Sequence, residues 1–331
     1  MKRILSFLFL VTVAALSLQA AVENKTYSKS STSASRVLVD NRYGSIQVQH
    51  WNKNSAEINV IVSVTASSES RAKEIMNKIS IVQKEEGDQL SSITATAGVN
   101  TSGGEKIEIK CTVNLPSSFA MNLTQKYGSI TMPPTPTNAD AVIDVKYGSL
   151  NGGSFNQGLT LIGGYSNITL DRVNLANMEI KYCKPIKITS AKEISLEAKY
   201  SDFNIQQIDG LKGELSYSGV DIASIKRLDM NVRYSGFKIN EVLESVKLSG
   251  MSYSNLKIEK LSPRFSLIST TDIRYSNVKI TMDGSPAVRF ESNPDKYSTV
   301  KISNSIKSRT TSASNAPIIE FSGRYSSLDV K

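Results

Sequence analysis

Tyrosine is the residue whose placement first suggests chemistry in this sequence. Twelve of the thirteen tyrosines lie in a short recurring phrase, written KYGSI at 126–130 and RYSGF at 233–237. In nine of these twelve repeats the residue before the tyrosine is Lys or Arg. Aromatic rings beside cations are suited to contacts with sugars and anions. The phrase therefore predicts either a strip of aromatic platforms for sugar rings or a structural ladder of stacked tyrosines.

The ladder is the interpretation that the local pattern favours. Each tyrosine has the same parity as the inward-pointing residues of the strand before it, which favours the ladder, but the sequence leaves open whether the column faces in or out. Stacking of equivalent repeats brings the rings together, and adjacent rings gain ~0.5–1.5 kcal/mol beyond the burial of area. Tyr43 belongs to an earlier repeat of the same kind. The predicted ladder comprises Tyr127, Tyr147, Tyr165, Tyr182, Tyr200, Tyr217, Tyr234, Tyr253, Tyr275, Tyr297 and Tyr325.

A column of charge is predicted four residues after the tyrosine, where the strand points outward. Four repeats in succession have lysine there: Lys238, Lys257, Lys279 and Lys301. Stacked in chain order, neighbouring lysines repel each other by ~1 kcal/mol in water. Folding does not require that arrangement, so these lysines are the candidate ligand-binding residues, for acidic polysaccharide or another anionic envelope surface. The alternative is that they are solvated lysines that discourage edge-to-edge aggregation.

The sequence contains little that suggests catalysis. His50 is the single histidine and stands beside Trp51 at the end of a predicted strand, which favours a packing or surface role over a Ser–His–Asp arrangement. Cys111 and Cys183 with one histidine do not make a zinc site, and the two thiols either form one disulfide or stay buried and free. The acidic residues are scattered singly and form no calcium loop. We therefore expect no enzymatic activity, cofactor or metal.

Repeats with alternating apolar residues dominate the chain after residue 126. From Tyr127 onward the tyrosines recur at intervals of 17 to 28 residues. Apolar residues occupy even offsets before the tyrosine, as at Val232 before Tyr234, and odd offsets after it, as at Phe237 and Ile239. Strict alternation cannot change parity within one strand, so each repeat is a strand, a corner and a second strand. We predict an all-β fold, a parallel β-solenoid of about 11–12 coils with a small α+β cap at the N-terminus.

The N-terminal third is organised differently. Lys2 and Arg3 precede a long apolar run that ends at small residues, which is the layout of a secretory signal peptide. Helical spacing of apolar residues between 68 and 80 predicts a short amphipathic helix within the cap. The N-terminal apolar run is shorter than the ~20 residues that a membrane-spanning helix needs, and no second apolar run follows it. The predicted divisions are a signal peptide (1–21), a polar linker (22–35), an N-terminal coil with the α+β cap (36–126) and the solenoid repeats (127–331).

The layout resembles that of a known family. The strand VDNRYGSIQVQHW at 39–51 is followed by a strand, a helix and further strands, and then by serial KYGSI and KYGSL. This arrangement over residues 36–331 is similar to the bacterial "putative adhesin" domain family, related to auto-transporter adhesin head domains. The resemblance implies a β-solenoid located in the cell envelope. It implies no catalytic signature and no particular functional residues.

The net charge and the predicted export of the chain narrow the choice of function. The formal net charge is +9, or +7 once Lys2 and Arg3 are removed with the signal peptide. A basic exported protein can bind anionic glycans and lipid headgroups. The predicted location outside the cytoplasm and the pattern of basic residues both argue against nucleic acid as a partner. We predict a non-enzymatic exported module, periplasmic or at the cell surface, that serves binding or structure. The alternatives are a polysaccharide lyase or hydrolase on a β-helix scaffold, and an envelope-stress accessory that binds a protein partner through the cap.

Overall fold

The computed structural model describes residues 20–282 and 286–331. The predicted signal peptide therefore lies outside the described residues, apart from its last two positions. Strands make up most of the described chain and both helices are short, which confirms the all-β class. Within the described residues, neither helix approaches the length and apolar character that a membrane span requires.

The N-terminal region contains six strands and one helix. They are β1 (Ala21–Ser31), β2 (Arg36–His50), β3 (Ala56–Ala66), α1 (Glu69–Asn77), β4 (Ser80–Glu86), β5 (Gln89–Ala95) and β6 (Lys106–Leu115). β1, β3 and β6 pair antiparallel in that order, and β4 pairs antiparallel with β5. β2 runs parallel to β5 and β6. The predicted helix is α1, which begins where Ser68 Oγ accepts a hydrogen bond from the Arg71 backbone N–H and which buries Ala72, Ile75 and Met76.

The predicted polar linker over 22–35 is wrong for most of its length. Residues Ala21–Ser31 form β1, which pairs with β3 from end to end. Its sequence is rich in Lys and Ser because only one edge of this strand has a partner and most of its side chains face solvent. A polar strand at the edge of a sheet has the composition of a linker, and charged residues there oppose pairing with other chains.

The repeats contribute the remaining strands. They are β7 (Ala120–Thr131), β8 (Ala141–Lys146), β9 (Ser149–Asn151), β10 (Ser154–Gly164), β11 (Asn167–Lys181), β12 (Ile186–Lys199), β13 (Asp202–Ser216), β14 (Gly219–Arg233), β15 (Gly236–Ser249), β16 (Asn255–Leu261), β17 (Leu267–Arg274), β18 (Asn277–Ile280), β19 (Arg289–Pro294), β20 (Thr299–Ile302), α2 (Asn304–Lys307), β21 (Ile318–Arg324) and β22 (Ser327–Val330). We call each tyrosine repeat, with the strand segments on either side of its corner, a coil.

Successive coils pair in parallel and in register. At the third position after the tyrosine, Ile168 pairs with Ile186, which pairs with Phe203 on the next coil. All three side chains are buried, as are the equivalent apolar residues of the following coils except Val300, which is partly buried. Side chains from both strands of each coil therefore share one continuous apolar core. Parallel pairing of this kind is what the predicted β-solenoid requires.

The change of parity is located at the tyrosine. In eleven coils the tyrosine has a φ between 49 and 58°, which is the left-handed region. A single left-handed residue turns the chain and resets which side chains point inward, so the predicted corner is found where the parity changes. This conformation is rare for residues with a Cβ atom and costs ~1–2 kcal/mol.

Coils do not follow chain order at the far end. β21 pairs on one side with β17 and on the other with β19, and β22 likewise lies between β18 and β20. The coil of Tyr325 is thus inserted between the coils of Tyr275 and Tyr297. The coil of Tyr297, continued by α2, is the outermost one. This order differs from the stacking in chain order that the sequence analysis assumed.

Candidate functional site: the tyrosine corner

The twelve repeat tyrosines form one continuous stack, which we call the tyrosine column. Neighbouring ring centroids lie 4.7–5.4 Å apart and neighbouring ring planes deviate by 3–12°. The rings face solvent, with between 38 and 55% of each residue exposed. The rings of the predicted ladder are thus stacked, and the column faces solvent, a direction that the sequence left open. The left-handed φ turns each tyrosine out of the strand whose parity it was assumed to share.

Stacking determines what the column offers a ligand. Each ring face is covered by the next ring, and a centroid separation near 5 Å leaves no room for a sugar ring between them. The platform interpretation therefore fails along the length of the column. What remains exposed is a row of ring edges and hydroxyls, one per coil. Ring edges carry the positive part of the aromatic quadrupole and phenolic O–H groups donate hydrogen bonds, so the row favours anions and acceptors.

A ladder of buried hydroxyls holds the corner from inside. The residue after the tyrosine is buried in most coils, and its backbone N–H donates to the side chain of the equivalent residue on the next coil. The Ser201 N–H donates to Ser218 Oγ at 3.0 Å, and the Ser218 N–H donates to Ser235 Oγ at 3.0 Å. Except at Ser298, which donates to Asp295 Oδ1 and the Gly323 carbonyl, each side chain in turn donates to the carbonyl two residues earlier, as Ser218 Oγ does to Ser216 at 2.8 Å. We call this the serine ladder; its members in spatial order are Ser166, Cys183, Ser201, Ser218, Ser235, Ser254, Ser276, Ser326 and Ser298.

Both cysteines are free and buried. Of the two alternatives left open by the sequence, the structure therefore has the free thiols. Cys183 takes a serine position in the ladder, with its Sγ donating to the Lys181 carbonyl at 3.4 Å. Burial raises the pKa of the Cys183 thiol, and burial raises the pKa of Cys111 to about 12. Neither thiol is a nucleophile in this environment.

Basic side chains line one side of the tyrosine column. The residue before each tyrosine pairs with its equivalent on the next coil, so these residues form a second column, which we call the basic column. Its cationic members are Arg42, Lys126, Lys146, Lys181, Lys199, Arg233, Arg274, Arg324 and Lys296. Lys146, Lys181 and Arg274 form ion pairs with carboxylates two residues earlier in the chain. At the outermost coil the Lys296 ammonium lies 4.7 Å from the centroid of the Tyr297 ring and covers the end of the stack.

The predicted lysine column is only partly assembled. Lys238 pairs with Lys257, and Lys257 pairs with Lys279. Asp329 then lies between Lys279 and Lys301, because the coil of Tyr325 is inserted there. The expected stack of four lysines is therefore a group of three, with Lys301 separated from it. Lys257 donates to Glu259 at 2.5 Å, and this contact lowers the pKa of Glu259 from its usual value.

Sequence reasoning missed a column of glutamates. Glu179, Glu197 and Glu214 pair in register on adjacent coils, three residues before their tyrosines. They line an open groove of about 480 Å³ together with residues 160–162 of β10, of which Thr160 is polar. Counting this offset in the sequence, as was done for the lysines, would have found them. Their side chains do not converge, since no group of three or more potential ligands within the described residues is placed to hold a metal.

His50 has the packing role expected of it. Its Nδ1 shares a hydrogen bond of 2.9 Å with Thr135 Oγ1, and its Nε2 is buried without a partner among the described residues. Burial lowers the pKa of the imidazole. The neighbouring Trp51 donates from Nε1 to the Ser55 carbonyl at 2.8 Å. Neither contact involves the serine or aspartate that a catalytic triad needs.

Comparison with solved structures finds similar chains named as adhesins or lipid-binding proteins. A "putative adhesin" from Parabacteroides distasonis has 11% identity over 93% of this chain and 97% of that one, with a TM-score of 0.30. A "putative lipid binding protein" from the same species has 9% identity, covers 93% and 96%, and has a TM-score of 0.31. A "putative cell adhesion protein" from Clostridium sporogenes has 11% identity, covers 95% and 99%, and has a TM-score of 0.21. Scores this low carry no argument about fold or function.

No protein-family model matches the chain. No curated protein matches it either.

Proposed function

We propose that this chain is an exported, non-enzymatic binding module of the bacterial cell envelope that contacts acidic polysaccharide along the tyrosine corner. The observation that carries the proposal is the solvent-exposed stack of twelve tyrosines with cations beside nine of them. The row presents a phenolic hydroxyl about every 4.9 Å, close to the length of one sugar in an extended chain. The predicted signal peptide supports export of the chain, and the positive net charge supports a negatively charged ligand.

The chemistry of the corner suits a repetitive, anionic polymer more than a single small ligand. Each exposed contact between a cation and an acidic group contributes ~1 kcal/mol or less. Affinity therefore comes from many coils engaging one chain at once, which raises the effective concentration of every further contact. Exposed charges are screened by salt, so binding should weaken as ionic strength rises.

The decisive experiment compares two surfaces that carry the same charge. The mature chain is sedimented with polygalacturonate and with neutral dextran, at low and at high salt. One variant removes three charges from the basic column by Lys126→Gln, Lys199→Gln and Arg324→Gln. A matched variant removes three charges from the lysine column by Lys238→Gln, Lys257→Gln and Lys279→Gln.

We expect salt-sensitive binding to polygalacturonate that is lost in the first variant and kept in the second. Loss of polygalacturonate binding in the second variant alone would show that the lysine column predicted from the sequence is the binding site. Equal partial loss in both would mean non-specific attraction to a basic protein. Absence of binding by the wild-type chain would contradict the proposal and direct attention to protein partners at the open edges of β1 and β4.

A second candidate function is cleavage of an acidic polysaccharide. The observation that favours it is the column of Glu179, Glu197 and Glu214, which has Lys181 and Lys199 beside it on the same coils. A glycoside hydrolase needs two carboxyl groups, one of them a general acid with a raised pKa. The Lys181 ammonium, 2.6 Å from Glu179, instead lowers the pKa of that carboxyl. New reducing ends or unsaturated products from polygalacturonate, abolished by Glu197→Gln, would establish the enzyme and remove our first proposal.

A further inference from the structure

The basic column lacks a cation at three coils, those of Gly164, Ser216 and Ser252, and a recess lies at the third of these. Ser252 pairs with Arg233 on one neighbouring coil and with Arg274 on the other. The two arginines are thus two coils apart, about 10 Å between backbones. The small serine between them leaves their side chains free to converge over its position.

A cavity of about 530 Å³ lies at this interruption. Its lining combines the two arginines with three tyrosines of the column, Tyr234, Tyr253 and Tyr275. Met251 is only 1% exposed and contributes apolar surface to the recess, and Asp272 also contributes to the lining. Cavities of a few hundred Å³ with apolar walls and a few converging polar groups are typical of small-ligand sites.

The backbone around Ser252 explains why the recess forms there. Gly250 has a φ of +79°, and Asp272 on the next coil has a φ of +51°. The register between β17 and β21 shifts between Thr270 and Ile273. A positive φ redirects the chain, so Gly250 and Asp272 each bend the backbone beside Ser252. A non-glycine residue held at positive φ is strained, and such strain is concentrated at functional sites.

The glycine in the basic column does not form an equivalent recess. Gly164 occupies the same offset one coil after Lys146. A Cβ atom at Gly164 would lie 3.3 Å from Lys146 Cγ, so the lysine stem covers that position. The Lys146 ammonium is itself paired with Asp144 at 3.0 Å. Small size in the basic column is therefore not sufficient, and the bend at Gly250 and Asp272 is the additional requirement.

The charges of the recess select an anion. Arg233 forms no ion pair with any described residue, whereas Arg274 donates to Asp272 at 3.2 Å. The sum of the three charges is +1, from two arginines and one aspartate. Guanidinium groups bind carboxylate, sulfate and phosphate in bidentate geometry. An acidic sugar or a short acidic oligosaccharide fits the volume, and the phenolic groups that line the recess can hydrogen-bond to its hydroxyls.

We infer that this recess binds one acidic sugar unit of the polymer and holds its acid group between Arg233 and Arg274. The inference rests on the proposed function, because it assigns a specific subsite to the same surface. It differs from general attraction along the column in requiring an empty position at Ser252.

Ser252→Lys is the variant that separates these two ideas. The substitution restores the regular basic column and adds one positive charge, but it fills the recess. Binding is measured by titration calorimetry with a trigalacturonate, a sulfated trisaccharide and a neutral trisaccharide, so that carboxylate and sulfate are distinguished as the acid group. We expect binding of one acidic probe and not of the neutral one. Ser252→Lys and Arg233→Gln should each lower the affinity about tenfold, the value of one charge-assisted hydrogen bond.

Two controls keep the inference open to refutation. Lys84→Gln removes an exposed charge from β4, outside the tyrosine corner, and it should change the affinity less than twofold. Arg233 is exposed, so Arg233→Gln remains informative if Ser252→Lys does not fold. Higher affinity in Ser252→Lys would overturn the recess while leaving the proposed function in place. Binding of polygalacturonate without binding of any trisaccharide would also overturn the recess, and failure of both would overturn the proposed function itself.

Discussion

The tyrosine corner looks the same from outside along the whole molecule but is built in two ways inside. In the coils of Tyr43, Tyr127 and Tyr147 the next residue is glycine, and in the later coils it is a member of the serine ladder. A Cβ atom on Gly128 would lie 1.9 Å from the Gly44 carbonyl oxygen, so these corners are in direct backbone contact. In the later coils a side-chain hydroxyl occupies the space between corners.

The two regions also satisfy their buried polar groups differently. Beneath the glycine corners, Asn41 Nδ2 donates to Gln125 Oε1 at 3.0 Å and to the Ile109 carbonyl at 3.0 Å. Both amide side chains are fully buried. The coil of Tyr147 and most serine coils have an apolar residue or glycine at the offset of Asn41 and Gln125, and in the serine coils the ladder supplies hydrogen bonds to the backbone. The coil of Tyr297 differs, since it has Asp295 at that offset and Asp295 accepts from Ser298 Oγ at 2.7 Å. The outer stack of rings is therefore compatible with two interiors, which suggests that the stack and its left-handed corner are the features the fold maintains.

The largest effect is expected from placing a serine corner in the glycine region. Gly128→Ser puts a Cβ atom and a hydroxyl where the Gly44 carbonyl lies, and it should lower the free energy of unfolding by about 3 kcal/mol through overpacking. Urea unfolding followed by circular dichroism measures the change. Gly236→Ala is the matched control, because its Cβ atom meets nothing within 4 Å. It should change stability by less than about 1 kcal/mol. Equal destabilisation by both would show that glycine serves flexibility and not close approach.

Removing one ring tests whether the stack contributes equally in both regions. Tyr217→Ala in the serine region and Tyr127→Ala in the glycine region each abolish two stacked pairs, and each should cost about 2 kcal/mol. Tyr297 has one stacked partner among the described residues, so Tyr297→Ala should cost about half as much. Urea midpoints of the three variants give the comparison. A clear difference between Tyr217→Ala and Tyr127→Ala would break the claim that the outer stack is common to both regions.

A hydroxyl deletion tests the serine ladder. Ser218→Ala leaves the buried Ser201 N–H without its partner and removes one of the two hydrogen bonds that the Ser216 carbonyl accepts, which should cost about 1.5 kcal/mol. Ser218→Cys keeps a weak acceptor and donor in place, as Cys183 does naturally, so it should cost less than the alanine variant. Thermal unfolding of the two variants measures the order. If the alanine variant were the more stable of the two, the ladder would be a matter of packing alone.

The smallest effect concerns His50 in the glycine region. Its lowered pKa means that the folded protein binds fewer protons than the unfolded chain as the pH falls below the usual value of 6.5. The contribution to stability is therefore complete above that pH and declines as the pH falls through it. His50→Gln should show a smaller loss of stability than the wild type between about pH 7.5 and about pH 5. An identical pH dependence of the urea midpoint in both proteins would exclude His50 as its source.

Alternation in the sequence was sufficient to predict the strands, the corner and the buried residues. It was not sufficient to orient the tyrosines, because parity can be extended only through residues in extended conformation, and Tyr217 has a φ of 53°. It also did not reveal the serine ladder, since serine after the tyrosine reads equally well as a turn residue. The outward face of Tyr217 and the buried hydroxyl of Ser218 both follow from the same left-handed corner.

Spacing also could not reveal the order of the last coils. A repeat inserted between two earlier ones has the same local sequence as one added at the end, so Lys279 and Lys301 were expected to be neighbours. The long interval between Tyr297 and Tyr325 was the available signal, because a returning chain needs a longer connection than a continuing one. The lysine column was predicted from chain order, and it is interrupted by Asp329 for that reason.

The inserted coil also determines the order in which this end of the molecule can be assembled. Residues 318–330 are made after 289–302, yet they lie between those residues and the preceding coil. Until they arrive, the coil of Tyr297 has no contact with the coil of Tyr275, and both present unpaired strand edges toward a common gap. A chain cut within 308–317 would therefore lose two layers of pairing at once, because the outer coil is held only through the inserted one. Completion of this end is accordingly expected to be a single cooperative event that depends on residues 318–330.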